Sequence, residues 1–144
     1  MTYRKTFIFL LIALVFILSG CAAKGPIFTD VKSNRPDKAL LYIYRPWAMT
    51  GAAVSYQVVL NNVRISPKLS NQSYLVKEID PGEIFLFTDT QNIDRVLKFT
   101  VEAGKTYFVS ISSKNYAAMV FEHTAYLVDK GLAIEELKKC KLAL

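Results

Sequence analysis

The chain has 144 residues, 52% of them hydrophobic and 12% aromatic, and a formal net charge of +6 from 18 Lys and Arg against 12 Asp and Glu. The basic residues are scattered along the chain, which argues against a nucleic-acid footprint, where they cluster on one face or helix. One His and two Cys are too few for a zinc site, and there is no P-loop or Rossmann glycine pattern, so no metal or nucleotide cofactor is expected.

In chain order, the first feature is Phe7 to Leu18, twelve consecutive apolar residues ahead of Ser19, Gly20 and Cys21. Spanning a bilayer takes about 20 residues, so the run is short for a membrane helix. Arg4 and Lys5 before it and small residues after it follow the charged, apolar, small order of a secretory signal peptide. Leu18, Ser19, Gly20 and Cys21 resemble the lipobox of bacterial lipoproteins. That resemblance implies a signal peptide over residues 1–20 and a lipid on Cys21. A thiolate is the nucleophile such acylation needs, and several acyl chains on one cysteine make a near-permanent membrane anchor. Ala22 stands where an aspartate would resemble the signal for inner-membrane retention, so the resemblance implies the outer membrane, facing the periplasm. An ordinary signal peptide or a short anchor helix, with an incidental cysteine, is the alternative.

Removing residues 1–20 leaves 124 of the 144 and takes away only Arg4 and Lys5, so the charge becomes +4. That length suits one domain and not two. With Cys21 carrying lipid, Cys140 has no partner for an intrachain disulfide. Residues 21–37 hold Gly25, Pro26 and Pro36 and no periodicity, and read as the lipidated cysteine and a flexible tether. Sixteen flexible residues would span roughly 20 to 24 Å.

From Lys38 onward, period-two alternation of aromatic and β-branched residues dominates, broken by turn signals. The strand candidates are ALLYIYR, stopped by Pro46; VSYQVVL, with Val54, Tyr56, Val58 and Leu60 on one face; VRIS; SYLVKEI; EIFLFT; RVLKFTV; KTYFVSIS; and a last arm over about Ala117 to Val128. Asn61 and Asn62 suit a tight hairpin, and Pro81 and Gly82 suit a type II turn. The pattern predicts an all-β domain over residues 38–144, an antiparallel β-sandwich or small barrel of seven or eight strands. The tail changes period. Ala133, Leu137, Cys140 and Leu144 follow helical spacing, predicting a short amphipathic helix over Leu132 to Lys141 with Asp129 as its N-cap.

ALLYIYRP (Ala39 to Pro46), the LNN at Leu60 to Asn62, Tyr74, the PG at Pro81 and Gly82, and AGKTYFV (Ala103 to Val109), behind the lipobox, resemble the bacterial lipoprotein family catalogued as domain of unknown function 2846. The resemblance implies a β-sandwich, transthyretin-like in outline. It carries no reaction, ligand or catalytic residue to transfer.

Candidate chemistry is sparse. His123 would need a nucleophile and an orienting carboxylate to act in acyl transfer, and Ser110, Ser112 and Asp129 are loose candidates without a nucleophile-elbow glycine pattern. A structural histidine is the plainer reading. Asp89 and Asp94 lack the ligand alternation of a calcium loop, and Cys140 reads as a small buried hydrophobe. The best recognition candidate is the loop after Pro46, where Arg45, Trp47 and Met49 lie close together. Equally, Trp47 could fold back to cover the end of the sandwich. The sequence therefore points to a lipid-anchored, non-catalytic binding or scaffolding module with an envelope protein or glycan as partner. The alternative is a small periplasmic hydrolase, or an inhibitor of one.

Overall fold

The structure, a computed structural model, describes residues 23–32, 35–89, 95–117 and 120–144, with the side chains of 113–122 left out. The signal segment, Cys21 and Asp94 lie outside the described residues.

The described residues form an all-β sandwich with one short helix near the C-terminus. Its elements are β1 (Ala39–Arg45), β2 (Tyr56–Leu60), β3 (Val63–Leu69), β4 (Ser73–Ile79), β5 (Gly82–Thr88), β6 (Leu97–Val101), β7 (Thr106–Ala117), β8 (Val120–Val128), α1 (Lys130–Leu137) and β9 (Lys141–Leu142). One sheet runs β8-β7-β1-β4-β9 and the other β3-β2-β5-β6. Most pairs are antiparallel, but β1–β7 and β4–β9 are parallel. Asn61 and Asn62, with φ of 48° and 65°, make the expected β2–β3 hairpin, since Asn adopts positive φ at little cost. The chain passes from one sheet to the other at loops or strand ends that each hold a positive-φ residue: Gly51, Gln72, Gly82 and Gly104. The PG pair therefore carries a change of sheet.

β1 is buried along its whole length because both of its faces are covered. Ala39, Leu41 and Ile43 point between the sheets with Val58, Leu69, Leu86, Val109 and Ile111. Leu40, Tyr42 and Tyr44 face the other way, into a second core with Tyr74, Phe108, Ala133, Leu137 and Cys140. That two-sided burial explains why ALLYIYR shows no alternation of apolar and polar residues.

The second core is closed by two pieces of chain. One is α1, capped as expected by Asp129, whose carboxylate accepts from the Leu132 amide at 3.2 Å. The helix stops at Leu137, four residues short of its predicted end, because Lys141 and Leu142 pair with Ser73 and Tyr74 instead. The other piece is residues 23–32, predicted as tether. Here the expectation is corrected. Gly25 and Phe28 donate to the Leu142 and Cys140 carbonyls at 3.1 Å each, and Leu142 donates to the Pro26 carbonyl at 2.8 Å. Phe28 is buried, edge-on to the rings of Tyr42 and Tyr74 at 5.8 and 5.7 Å. An apolar ring within reach of an open aromatic face gains more by burial than the chain loses in freedom.

Candidate functional site

The loop after Pro46 is built from the strand that precedes it. Alternation along β1 puts Arg45 on the same side as Leu41 and Ile43, so its side chain enters the open end of the sandwich. It is 1% exposed. Its Nη2 donates to the Gly51 carbonyl at 2.8 Å and its Nη1 to the Val54 carbonyl, both across the loop. The guanidinium lies 4.3 Å from the centre of the Tyr56 ring, a cation–π contact removed from water. Burial draws the Arg45 pKa down, with Tyr56 acting in the opposite direction, but a guanidinium stays charged at any physiological pH. Arg45 Nε is buried without a hydrogen-bond partner among the described residues. Two charge-assisted bonds and a ring contact offset that cost.

A second clamp grips the other half of the loop. Asn71, between β3 and β4, accepts from the Ala48 amide and donates to the Ala48 carbonyl, each at 3.0 Å. Turns closed by Ala52 to Met49 and by Val54 to Gly51 complete the path. Gly51 sits at φ +68°, and a Cβ there would lie 3.2 Å from Tyr56 Oη, so both backbone and space favour glycine. The outward face of this held loop is apolar: Trp47 is 61% and Met49 79% exposed.

Of the three residues expected at this surface, Trp47 and Met49 are there. Arg45 is not; it forms the floor beneath them. A charged residue beside a proline reads as solvated, yet its parity with Leu41 and Ile43 was the sequence signal that it points inward. Asn71 and Tyr56 went unrecognised as supports because their partners are 23 and 11 residues away in sequence.

His123 belongs to the same floor. It is buried, with its ring centroid 4.0 Å from that of Tyr56. Burial first, and then the Arg45 charge, lower its pKa, so it is held as the neutral imidazole. The serines weighed as its partners are on the opposite face of the sheet. Ser110 pairs with Tyr44 in the β1–β7 register and shares the parity of Phe108, which faces the second core, as does Ser112. Beside Ser110, the Tyr44 hydroxyl donates to Glu136 at 2.6 Å. Burial, with Glu136 adding to it, raises the Tyr44 pKa well above the usual phenol range. Asp129 is occupied at the helix cap. The structure thus keeps His123, Ser110 and Asp129 in three separate places.

Cys140 lies at the bottom of the second core, its Sγ 3.5 Å from the Glu136 carbonyl oxygen and 3.7 Å from that of Arg45. Burial, assisted by Glu136, pushes its thiol up to about 12. Asp89 pairs with the backbone of Gln57 on both sides, accepting at 3.3 Å and donating at 3.0 Å. Among the described residues no three His, Cys, Asp or Glu side chains converge on a metal-sized site.

No curated protein and no solved structure matches the chain. One family does, over a span that starts just ahead of β1 and ends within β8, taking in the Trp47 loop, both of its clamps and His123. The chain belongs to the family described as Protein of unknown function (DUF2846), which it matches over residues 35–125.

Proposed function

We propose that this chain is a lipid-anchored, non-catalytic binding or scaffolding module of the bacterial envelope, held by Cys21 in the outer membrane and facing the periplasm. The Trp47–Met49 loop is its contact surface for an envelope protein or glycan. The observation that carries the contact surface is the combination of exposure and restraint. Two large apolar side chains face solvent on a loop fastened from below by Arg45 and from the side by Asn71. Ordering a flexible loop on binding costs affinity, and a loop held in advance avoids most of that cost. Trp in particular is enriched among the residues that dominate interface energies. The separation of His123 from Ser110 and Ser112 across the sheet supports the non-catalytic part of this reading over a hydrolase.

Crosslinking of the tethered protein in intact envelopes, followed by pull-down, tests it. Trp47→Ala and Met49→Ala should each reduce recovery of the crosslinked partner while leaving the fold intact. Recovery of every partner by a stable double variant would move the contact surface elsewhere.

A further inference from the structure

We propose that the β9 edge of the domain lies directly against an anionic phospholipid surface, with Lys24, Ile27, Lys141 and Leu144 at the contact; this rests on the reading of Cys21 as lipidated. The argument starts from the docked N-terminal segment. Ala23 is buried and Gly25 is bonded to Leu142, so the chain is already fixed on the domain two residues after Cys21. Two extended residues reach at most about 7 Å. A lipid on Cys21 therefore has little slack, and the edge where Ala23 enters must stay close to the bilayer.

The chemistry of that edge matches a lipid headgroup layer. Lys141 is the bridge partner of Ile27, which is 57% exposed, and Leu144 beyond it is 78% exposed. Lys24 is exposed beside Gly25, and the stretch 138–144 adds Lys138 and Lys139 with no acidic residue. Exposed aliphatic side chains among lysines suit the boundary between acyl chains and anionic headgroups. The backbone of β9 is paired on both sides, with Ser73 and Tyr74 on one and Ile27 on the other, so this is not an open strand edge waiting for another strand. The opposite edge of the same sheet, β8, stands four strand spacings away, about 19 Å.

The test uses the full lipidated chain in vesicles containing phosphatidylglycerol and brominated phospholipid. In a Trp47→Phe background, a single tryptophan is placed at the proposed contact by Leu144→Trp, or at the far edge by Leu127→Trp. Fluorescence at position 144 should be quenched and at position 127 spared. Adding Lys24→Glu and Lys141→Glu should weaken the quenching at 144 without abolishing it, because the short link to Cys21 still holds that edge near the bilayer, and unchanged quenching would remove the lysines from the contact. Equal quenching at both sites, or none at either, in protein that carries fatty acid and stays with the vesicles would overturn the proposal and leave the anchor standing. Protein without fatty-acid label that fails to stay with the vesicles removes the anchor, and the proposal with it.

Discussion

Replacing Arg45 by Met isolates the clamp beneath the loop, because Met keeps most of the packed volume and removes the charge. Two charge-assisted hydrogen bonds, to the Gly51 and Val54 carbonyls, are lost, each contributing about 1.5 to 3 kcal/mol. The cation–π contact with Tyr56 adds about 2 kcal/mol when desolvated. Against this, the variant no longer buries a guanidinium with an unpartnered Nε, which relieves several kcal/mol. The difference is a net destabilisation of about 2 to 4 kcal/mol. At a denaturant slope of about 2 kcal/mol per molar urea, the midpoint should fall by roughly 1 to 2 M, measured by far-UV circular dichroism. The freed loop should also become a site of proteolytic nicking between Pro46 and Ser55, because the Gly51 and Val54 carbonyls lose their Arg45 partner. An Arg45→Met protein with an unchanged midpoint and an uncut loop would refute the clamp, and with it the argument that Trp47 is held ready for a partner.

Gly25→Ala should loosen the docked N-terminal segment, since its Cβ would fall 2.3 Å from the Leu142 carbonyl oxygen; a cost of about 1 to 3 kcal/mol is expected in urea unfolding, with faster amide exchange confined to residues 23–32 and β9. Leu137→Ala, at a fully buried position of α1, should cost about 2 to 5 kcal/mol, and an unchanged midpoint would mean that the helix is not packed as described. Because the folded pKa of His123 lies below its usual 6.5, the unfolded chain takes up the proton first, so stability should decline as pH falls from 6.5 towards the lowered folded value. His123→Gln should flatten that part of the pH–stability curve, and identical curves would contradict a neutral buried imidazole. The Cys140 thiol, pushed up to about 12, should resist iodoacetamide at pH 8 in the folded protein and react once it is unfolded.

Much of this protein is written locally. Alternating apolar residues mark β2 and β7, Pro46 ends β1 by withholding a donor, Asn61 and Asn62 turn the hairpin, and Asp129 caps α1, all within a few residues of chain. Each depends only on backbone preference and side-chain spacing, which neighbouring residues set. The exposed Trp47 loop was legible in the same way, as large apolar residues following a proline. What escaped depended on residues brought together from far apart. Nothing local shows that Phe28 will meet Tyr42 and Tyr74, so residues 23–32 read as a tether until the aromatic face that buries them is in place. The helical period running on to Leu144 is overruled because Lys141 and Leu142 find Ser73 and Tyr74, some 68 residues earlier, as strand partners. Arg45 turns from a surface charge into a buried clamp only once the loop carbonyls and the Tyr56 ring surround it. Local spacing determines which segments form strands and helices. What covers each face, and whether a charge ends in water or beneath a loop, is decided by competition among distant partners for the same buried space.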